Sequence, residues 1–420
     1  MTLLLKKRFF ISYMDIVLQK STVQKQSLIE ITGSKSESNR MLLLQALFPE
    51  LKIVNVSNSD DSQLMTNALT STSNIIDIHH AGTAMRFLTA FFAMQEGREV
   101  TLTGSQRMKE RPIKILVDTL ITLGAQIEYL ENDGYPPLKI SGKKLSNSKV
   151  TLQANVSSQY ISALLLIASK LENGLELTLE GEITSVPYIK MTLSLLEEIG
   201  VETLFKDNFI AIKPNTKKLF SNTLVVESDW SSVSYFYSIL ALSEVSTELS
   251  LSSYKESSLQ GDSVLADIYK HFGVTTIFKG NTLLLKKESH AKKSLALNLK
   301  NAPDIAQTIA VTCFGLGMPC DLTGLHTLKI KETDRLVALK TELEKLGGQV
   351  EITNNSLHLA SATTINDMVS IATYNDHRMA MAFAPLALKK SIAIEDAGVV
   401  SKSYPTFWND LKSIGFKITK

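Results

Sequence analysis

The chain has 420 residues, 44% of them hydrophobic, so it is too apolar for a disordered protein and too long for one ordinary core. Its 44 Lys and Arg residues nearly balance its 42 Asp and Glu residues, and the formal net charge of +2 argues against a dedicated nucleic-acid binder. We therefore expect two domains, and any anion-binding site must be a local feature.

The N-terminal residues 1–25 resemble a signal peptide only briefly, because their cluster of cations follows the apolar run instead of preceding it. No stretch of the chain reaches the roughly 20 consecutive apolar residues that span a bilayer. We expect a cytoplasmic protein with no membrane partner, in which an irregular extension precedes a first strand near residue 26.

One pattern recurs along the chain: an amphipathic helix, a glycine, a strand, a short polar turn and a second strand. We expect each glycine to end its helix in a left-handed conformation and the residues after it to form a hairpin. Successive marker glycines are 76, 73, 74 and 68 residues apart, which predicts about six α/β units of roughly 70 residues, with a degenerate first copy at 35–80. Unrelated helix–hairpin pairs at chance spacing are the alternative. The marker glycines are Gly124, Gly200, Gly273, Gly347 and Gly415.

A domain boundary is expected in the polar stretch 214–230, which precedes a new apolar run. The first strand, near 26–33, is a candidate to cross back and pair with the C-terminal half. Such a crossing joins the N-terminal residues to a domain formed mainly by the second half of the chain.

Four helix starts in the first half combine small or hydroxyl-bearing residues with cations. Free backbone N–H groups and the helix dipole favour an anion at such a position, and Lys35 and Arg40 add charge to the first of them. In the third, Pro112 is expected to start the helix. Each segment alone is compatible with an ordinary capped helix, but together they indicate anion binding. The segments are GSKSESNR (33–40), AGTAMR (81–86), RMKERP (107–112) and SSQY (157–160).

The most informative segment of the second half is KIKETDR (329–335). If it opens a helix, Lys331 and Arg335 lie four residues apart on one face. Glu332, between two cations, is expected to stay ionised unless burial raises its pKa and lets it donate a proton. Taken alone, such a charged run more often faces solvent. Asp304, in the apolar segment APDIA, is either a helix N-cap or a general base.

The segments NDHR (375–378) and SKSYP (401–405) add a titratable ring and two more cations. Cations thus come from both halves of the chain, while the two candidate proton carriers come from the second. This distribution fits an interdomain cleft that binds a doubly anionic pair of substrates. The cations are Lys35, Arg40, Arg86, Arg111, Lys331, Arg335, Arg378 and Lys402.

Ten segments, taken in order from about residue 26 to the C-terminus, closely resemble the 5-enolpyruvylshikimate-3-phosphate synthase family. They are GSKSESNR, AGTAMR, RMKERPI, SSQYISALLL, SVPYIKMTL, SDWSSVSYF, SLQGDSVLAD, KIKETDR, TYNDHRMAM and SKSYPTF.

The resemblance implies an α/β fold, a two-domain inside-out α/β barrel in which each domain is built from three repeated helix/sheet units. Residues 1–33 and 229–420 would form a discontinuous domain that carries the proton-transfer residues. Residues 34–228 would form an inserted domain that carries most of the shikimate 3-phosphate ligands.

The implied reaction transfers the enolpyruvyl group of phosphoenolpyruvate to the 5-hydroxyl of shikimate 3-phosphate and releases phosphate, a step of the shikimate pathway toward chorismate and the aromatic amino acids. The implied enzyme is a 3-phosphoshikimate 1-carboxyvinyltransferase that uses no metal and no organic cofactor. We expect a monomer with these small-molecule substrates and no nucleic-acid partner.

Carried over by position, the resemblance also implies site residues. Asp304 would accept the proton of the 5-hydroxyl, Glu332 would protonate the methylene carbon, and Lys35 would complete the catalytic set. The implied shikimate 3-phosphate ligands are Lys35, Ser36, Arg40, Ser157, Ser158, Gln159, Ser185, Tyr188, Asp304, Thr327 and Lys331. The implied phosphoenolpyruvate ligands are Lys35, Gly82, Arg111, Gln159, Arg335, His377, Arg378 and Lys402.

Three positions depart from the family pattern. His80 stands where Asn is usual, Phe87 where Pro is frequent, and Thr327 where Asn is frequent. A protonated His80 would tighten anion binding at low pH. Gly82 is retained, so we expect glyphosate to compete at the phosphoenolpyruvate pocket.

Two other functions compete with this interpretation. UDP-N-acetylglucosamine enolpyruvyl transferase has the same fold, but that family usually carries a cysteine in its first half. Here the cysteines are Cys313 and Cys320, which have no CxxC spacing and no nearby histidine cluster, so we expect buried reduced thiols. A non-catalytic anion-binding scaffold is the other alternative, and the retention of both Asp304 and Glu332 argues against it.

Overall fold

The computed structural model describes residues 14–154, 157–183, 185–215, 220–290 and 293–420. The strands, in chain order, are β1 Ile16–Gln19, β2 Gln26–Ile29, β3 Lys52–Val54, β4 Ile75–Asp77, β5 Glu99–Thr103, β6 Gln126–Tyr129, β7 Leu138–Ser141, β8 Lys149–Gln153, β9 Leu175–Glu180, β10 Thr203–Lys206, β11 Phe209–Ile212, β12 Thr223–Val225, β13 Glu248–Leu251, β14 Val274–Lys279, β15 Thr282–Lys287, β16 Leu295–Asn298, β17 Cys320–Thr323, β18 Val350–Ile352, β19 Ser356–Leu359, β20 Val369–Ile371, β21 Ile392–Ile394 and β22 Lys417–Thr419.

The helices alternate with these strands. In chain order they are α1 Lys35–Leu47, α2 Asp60–Thr70, α3 Gly82–Ala93, α4 Gln106–Lys109, α5 Lys114–Leu123, α6 Ser158–Ala168, α7 Val186–Glu198, α8 Trp230–Leu242, α9 Leu265–Ile268, α10 Ala306–Gly315, α11 Arg335–Lys345, α12 His377–Phe383 and α13 Phe407–Ser413. Short 3-10 helices cover Gly261–Val264, Tyr269–Phe272, Pro303–Ile305, His326–Ile330, Ala384–Leu388 and Ala397–Lys402. Within the described ranges, no helix is long and apolar enough to cross a membrane.

Within the described residues, every four-stranded sheet has the same internal arrangement. Two parallel strands lie at one side, and two strands follow them in antiparallel pairing. The orders are β4-β5-β7-β6, β8-β9-β11-β10, β2-β13-β15-β14, β16-β17-β19-β18 and β20-β21-β1-β22. In the last of these sheets, β1 lies between β21 and β22, where each of the other sheets has one strand of a hairpin. Because β1 precedes residue 26, the expectation that the first strand begins near residue 26 was wrong.

The marker glycines have the predicted conformation. All five have positive φ angles, between 73° and 114°, which only glycine adopts without strain. The prediction that these glycines end their helices in a left-handed residue is confirmed.

Strands of the two halves also pair near the points where the chain crosses between its cores. β2 pairs in parallel with β13, and β12 pairs in parallel with β3. The predicted return of the first-half strand to the C-terminal half is therefore confirmed for Gln26–Ile29. The expected boundary at 214–230 is not a plain loop, because β12 lies within it; residues 216–219 fall outside the described residues.

Buried side chains form two separate hydrophobic cores. One draws on residues between 41 and 226, and the other on residues 16–31 together with residues between 230 and 416. Helices α3 and α10 are buried along their whole length, one in each core. A helix that is buried on all sides belongs inside a protein, so α3 and α10 lie in the interiors of the two cores.

The two linkers that join the cores lie side by side. Gly33 and Ser228 form an isolated antiparallel bridge, and the backbone N–H of Ser34 donates to the carbonyl of Glu227 at 2.7 Å. A Cβ atom on Gly33 would lie 1.9 Å from the carbonyl oxygen of Asn55 and 2.7 Å from Val226 Cγ1. The linkers can approach this closely only because residue 33 has no side chain.

We predict that Gly33→Ala lowers the free energy of unfolding by about 1–3 kcal/mol, as overpacking does in a closely packed region. The measurement is the midpoint of urea unfolding. Gly398→Ala is the matched control, since a Cβ at Gly398 meets nothing within 4 Å. Equal midpoints for the two variants would contradict this account of the linker crossing.

Candidate active site

A cleft of about 830 Å³ lies between the two cores, and we call it the central cleft. Its lining from the first half includes Ser36, Arg40, Thr83, Arg86, Arg111, Ser157, Ser158, Gln159, Ser185 and Tyr188, and from the second half Asp304, Thr327 and Lys331. The structure therefore brings together eleven of the predicted site residues, all of these but Thr83 and Arg86.

The predicted residues that are absent from this lining fall into three groups. Arg335, Arg378 and Glu332 form a charged cluster with Asp304, while Gly82 lies directly against Arg111. The third group is Lys35, His377 and Lys402: the charges of Lys35 and Lys402 act on Asp61, and the charge of Glu332 acts on His377.

Arg40 is the buried cation of helix α1, with only 2% of its surface exposed. Its guanidinium donates to Thr192 Oγ1 at 2.8 Å, to the Ser36 carbonyl at 2.7 Å and to Ser162 Oγ at 3.0 Å. No carboxylate lies within ion-pair distance of it in the described part of the chain. Burial lowers the pKa of Arg40 to about 10, which still leaves its guanidinium protonated at neutral pH. A bound anion would therefore stabilise this buried positive charge.

Phe87, which departs from the family pattern, has a clear packing role. The Arg40 guanidinium carbon lies 5.4 Å from the centroid of the Phe87 ring and 5.7 Å from that of Tyr188. A guanidinium between two aromatic faces is held in place by cation–π attraction.

Arg111 is a second buried cation on the first-half wall. Burial, followed by repulsion from Arg86, lowers the pKa of Arg111 to about 10, and its Nε has no hydrogen-bond partner. Arg86 stabilises the surrounding loop by donating to the carbonyls of Gly82 at 3.1 Å and Pro112 at 3.2 Å. The prediction that Pro112 starts a helix was wrong, because α5 begins at Lys114 with Ile113 as its N-cap.

The helix starts at the other first-half segments are confirmed. Helix α1 begins at Lys35, α3 at Gly82 and α6 at Ser158, where Ser157 Oγ accepts from the Gln159 N–H. The Gln159 amide donates to Thr83 Oγ1 at 3.0 Å, which fixes its position in the cleft. Ser185, the N-cap of α7, has a left-handed φ of 53°.

Arg335 is the centre of the second-half wall. Its guanidinium contacts three carboxylates: Asp376 at 2.6 Å through Nε, Asp304 at 2.8 Å through Nη1 and Glu332 at 2.7 Å through Nη2. Arg335 is 2% exposed and Asp376 is fully buried. All three edges of the guanidinium are therefore occupied by carboxylates of the same chain.

The prediction that Lys331 and Arg335 share a helix face was wrong. Helix α11 begins only at Arg335, because the Asp334 side chain caps it by accepting from the N–H groups of Leu336 and Val337. Lys331 lies before the helix in extended backbone. The two cations meet instead on Asp304, whose Oδ1 is 3.4 Å from Lys331 Nζ.

Asp304 is not a helix N-cap. It lies in the 3-10 turn Pro303–Ile305, and its Oδ2 is 3.3 Å from Arg378 Nη2. Burial raises the pKa of Asp304, but Arg378, Lys331 and Arg335 together outweigh burial and hold the pKa well below its usual range. Asp304 is therefore an ionised carboxylate facing the cleft.

Glu332 is ionised for a similar reason. Burial raises the pKa of Glu332, but Arg335, followed by Arg111 and then Lys35, holds it well below its usual range. The expectation that Glu332 stays ionised between cations is thus met for this conformation of the site, and it must gain a proton before it can donate one.

His377 is neutral and has no hydrogen bond. Burial, followed by the charges of Lys35 and Arg378, lowers the pKa of His377 well below its usual range. Neither ring nitrogen has a partner within the described residues, and the ring is 2% exposed. Its ring nitrogens are free to contact a ligand.

The tighter anion binding expected from a protonated His80 would be confined to pH values near or below 4. Burial, followed by Lys402 and Lys35, lowers the pKa of His80 to about 4, so the imidazole stays neutral and adds no charge at mildly acidic pH. Thr327, another departure, lines the cleft with a hydroxyl that has no partner in the described ranges.

Sequence reasoning missed two buried carboxylates, Asp61 and Asp376. Asp61 Oδ2 lies 3.2 Å from Lys35 Nζ, and Asp376 is the carboxylate that binds Arg335 along its Nε edge. Both lie at helix starts, where an Asp normally signals only a cap. For Asp376 the available signal was its place beside the predicted ligands His377 and Arg378 in NDHR, whereas SDDS, which contains Asp61, adjoins no predicted ligand.

The two halves touch around the cleft. Arg107 Nη2 donates to the Lys331 carbonyl at 3.4 Å, and Ser401 Oγ donates to Asp60 Oδ2 at 2.5 Å.

Elsewhere, Cys313 and Cys320 are free and buried, as expected.

We predict that Arg335→Met lowers the free energy of unfolding at neutral pH by about 3–5 kcal/mol, because it leaves buried carboxylates unpaired. In the wild type, the depressed pKa values of Asp304 and Glu332 give stability that is present above their unfolded values near 4 and is lost only as pH falls below them toward the folded values. In the variant, Arg335 no longer opposes burial, so the pKa values of these carboxylates rise and the carboxylates take up protons as the pH falls. The deficit of the variant should therefore shrink as the pH is lowered toward 4.

Urea titrations at pH 7 and pH 4.5 measure this deficit. Lys340→Met is the control, since Lys340 is a surface cation on the same helix, 3.4 Å from Glu344. A deficit for Arg335→Met no larger than that of the control would contradict the three-carboxylate account.

Comparisons with known proteins identify the family. The family model described as EPSP synthase (3-phosphoshikimate 1-carboxyvinyltransferase) matches residues 67–411. A 3-phosphoshikimate 1-carboxyvinyltransferase of Bacteroides fragilis is 46% identical over 400 residues, covering 94% of this chain and 97% of that protein. One from Haemophilus influenzae is 36% identical over 423 aligned residues, covering 93% and 96%.

A solved EPSP synthase structure from Acinetobacter baumannii superposes with a TM-score of 0.78, covering 97% of this chain and all of that one, at 20% identity. At that identity the superposition supports the fold: a mixed α/β fold with several sheets. The sequence matches carry the assignment further, and this chain belongs to the EPSP synthase (3-phosphoshikimate 1-carboxyvinyltransferase) family.

Proposed function

We propose that this chain transfers the enolpyruvyl group of phosphoenolpyruvate to the 5-hydroxyl of shikimate 3-phosphate and releases phosphate. The observation that carries the proposal is the cluster around Arg335, which holds Asp304 and Glu332 on different nitrogens of one guanidinium. An addition that removes one proton from a hydroxyl and delivers another to a carbon needs two such groups beside bound anions.

The two cores support the proposed architecture. We propose an inside-out α/β barrel in which residues 34–228 form one domain and residues 1–33 and 229–420 form the other, each built from three related units. The separate cores and the shared arrangement of the sheets support this division.

The first-half wall suits shikimate 3-phosphate. Arg40 brings a cation that no carboxylate neutralises, and the starts of α1 and α6 add N–H groups and hydroxyls for a phosphate. The proposed ligands are Lys35, Ser36, Arg40, Ser157, Ser158, Gln159, Ser185 and Tyr188, with Asp304, Thr327 and Lys331 from the facing wall.

The junction between the walls suits phosphoenolpyruvate. Arg111 lies directly over Gly82 and retains an unpartnered Nε. We propose that Arg111 and Gly82 from one wall, and Arg335, His377, Arg378 and Lys402 from the other, enclose this substrate together with Lys35 and Gln159.

The charges suggest how the reaction is timed. Asp304 is a poor base while three cations hold it, and Glu332 is a poor acid while it is ionised. Phosphate and carboxylate groups of the substrates compete for Arg335, Arg378 and Lys331. As these cations turn to the substrates, the pKa values of both carboxylates rise, so that Asp304 becomes a better base and Glu332 can be protonated.

The proposed steps conserve protons. The 5-hydroxyl oxygen attacks C2 of phosphoenolpyruvate while Asp304 takes the hydroxyl proton and Glu332 gives a proton to C3, forming a tetrahedral intermediate. C–O cleavage then expels phosphate, Glu332 recovers a proton from C3, and the proton on Asp304 leaves with the phosphate. Binding energy fixes the two reactants in line.

We further propose that the protein acts as a monomer in the cytoplasm, without a nucleic-acid or membrane partner. UDP-N-acetylglucosamine enolpyruvyl transfer is the alternative reaction, and it also releases phosphate from phosphoenolpyruvate. Phosphate release with shikimate 3-phosphate and none with UDP-N-acetylglucosamine is the result we expect.

Asp304→Asn and Glu332→Gln should each lower kcat by about 10²–10⁴-fold, the range typical of general acid–base groups. The assay is phosphate release from phosphoenolpyruvate with saturating shikimate 3-phosphate. Glu344→Gln, an exposed carboxylate on α11, is the control and should keep full turnover. Wild-type rates for both site variants would end the proton-transfer assignment.

Gly82→Ala should raise KM for phosphoenolpyruvate, because its Cβ would lie 2.6 Å from Arg111 Nη1 and displace the guanidinium. We expect an increase of about tenfold or more, while KM for shikimate 3-phosphate changes little. Glyphosate should inhibit the wild-type protein in competition with phosphoenolpyruvate and inhibit Gly82→Ala less. Unimpeded wild-type turnover at high glyphosate would contradict this picture of the pocket.

A further inference from the structure

Asp61 is a buried carboxylate, 6% exposed, that the proposed reaction does not use. Its Oδ2 lies 3.2 Å from Lys35 Nζ, and its Oδ1 has no hydrogen-bond partner. A buried carboxylate oxygen without a donor is destabilising, so a donor is expected close by.

A candidate donor is the imidazole of His80. Its Nε2 lies 4.0 Å from Asp61 Oδ1 and is itself buried without a partner. With the proton on Nε2, a movement of about 1 Å would join the two orphaned atoms in one hydrogen bond. His80 is also the position that departs from the family pattern, and a neutral imidazole N–H and an Asn amide can each donate there.

Asp61 lies where the two walls of the cleft meet. It occupies the first turn of α2, whose N-cap is Ser59. The preceding residue, Asp60, accepts a hydrogen bond from Ser401, next to Lys402 in the sequence. The start of α2 thus contacts Lys35 on its own wall and the segment that carries Lys402 on the other.

We propose that Asp61, supported by His80, is a positioning residue that fixes the Lys35 ammonium at the phosphoenolpyruvate pocket. This inference rests on the proposed function. In this proposal the His80 imidazole donates a hydrogen bond to Asp61 Oδ1, so that Asp61 Oδ2 remains directed at Lys35.

The charges around this group set the expected pH behaviour. Asp61 faces Lys35 of α1, Lys402 of the segment after β21, and Glu332 before α11; His80 also faces Asp60 and His79. Burial raises the pKa of Asp61, and Lys35 lowers it. Removing the Asp61 carboxylate takes away the ion-pair partner that lies 3.2 Å from Lys35 Nζ, and the loss of an opposite charge makes an ammonium easier to deprotonate.

The first test is the pH profile of kcat/KM for phosphoenolpyruvate in Asp61→Asn. We expect the alkaline limb to move to lower pH, so that the variant loses more activity at about pH 9 than at about pH 6.5. A merely structural role for Asp61 would lower activity equally at both pH values. Asp118→Asn, at an exposed carboxylate near Lys114, is the control and should leave the profile unchanged.

The second test separates the donor role of His80 from its bulk. His80→Asn should keep the wild-type alkaline limb, whereas His80→Leu should shift it in the direction of Asp61→Asn. Thermal unfolding of each variant identifies any that is misfolded. The alkaline limbs of the variants that fold then decide the inference.

Wild-type alkaline limbs in both Asp61→Asn and His80→Leu would overturn the inference. That outcome differs from failure of the proposed function, in which the wild-type protein itself would release no phosphate from the two substrates.

Discussion

One buried guanidinium organises the reactive half of this molecule. Arg335 binds Asp376, Asp304 and Glu332 at once, and these residues come from α11, the N-cap of α12, the 3-10 turn before α10 and the segment before α11. Buried charges are tolerated only when they are paired and hydrogen-bonded. The position of each carboxylate therefore depends on the others through Arg335, and Asp376 extends the constraint by accepting from the N–H of Arg378 at 2.8 Å.

The two walls of the cleft differ in how their charges are compensated. On the first-half wall, Arg40 and Arg111 are buried without a carboxylate at ion-pair distance in the described ranges, so they attract anions directly. On the second-half wall, Arg335, Arg378 and Lys331 are already paired. We infer a division of tasks in which the first wall captures anions and the second becomes reactive when substrates displace its own carboxylates.

Much of the site was predictable from sequence because its motifs are local. Helix starts at Lys35, Gly82 and Ser158, and the left-handed marker glycines, depend on a few neighbouring residues. The contacts of Lys331 were not predictable, because the cap at Asp334 competes with a longer helix and the partner, Asp304, is distant in sequence. Asp61 was overlooked for the same reason: an acid in the first turn of a helix looks like a dipole contact until its tertiary partner is known.

The fold was predictable in its units and less so in its pairings. Helices such as α3 and α10 are buried on all sides. The spacing of apolar residues along them therefore does not indicate which side of the helix faces which neighbour. The exchange that pairs β12 with β3 depends on segments about 170 residues apart, for which neither strand has a local signal. The strand at Ile16–Gln19 was missed because its partners, β21 and β22, lie at the other end of the chain.

The central claim is that anionic substrates release Asp304 from its own cations. The most direct measurement is a ¹³C NMR titration of the Asp304 carboxyl, selectively labelled and assigned through Asp304→Asn, with and without shikimate 3-phosphate. The account predicts a pKa far below the usual range in the free protein and a clear rise in the complex. An equal pKa in both states would contradict it.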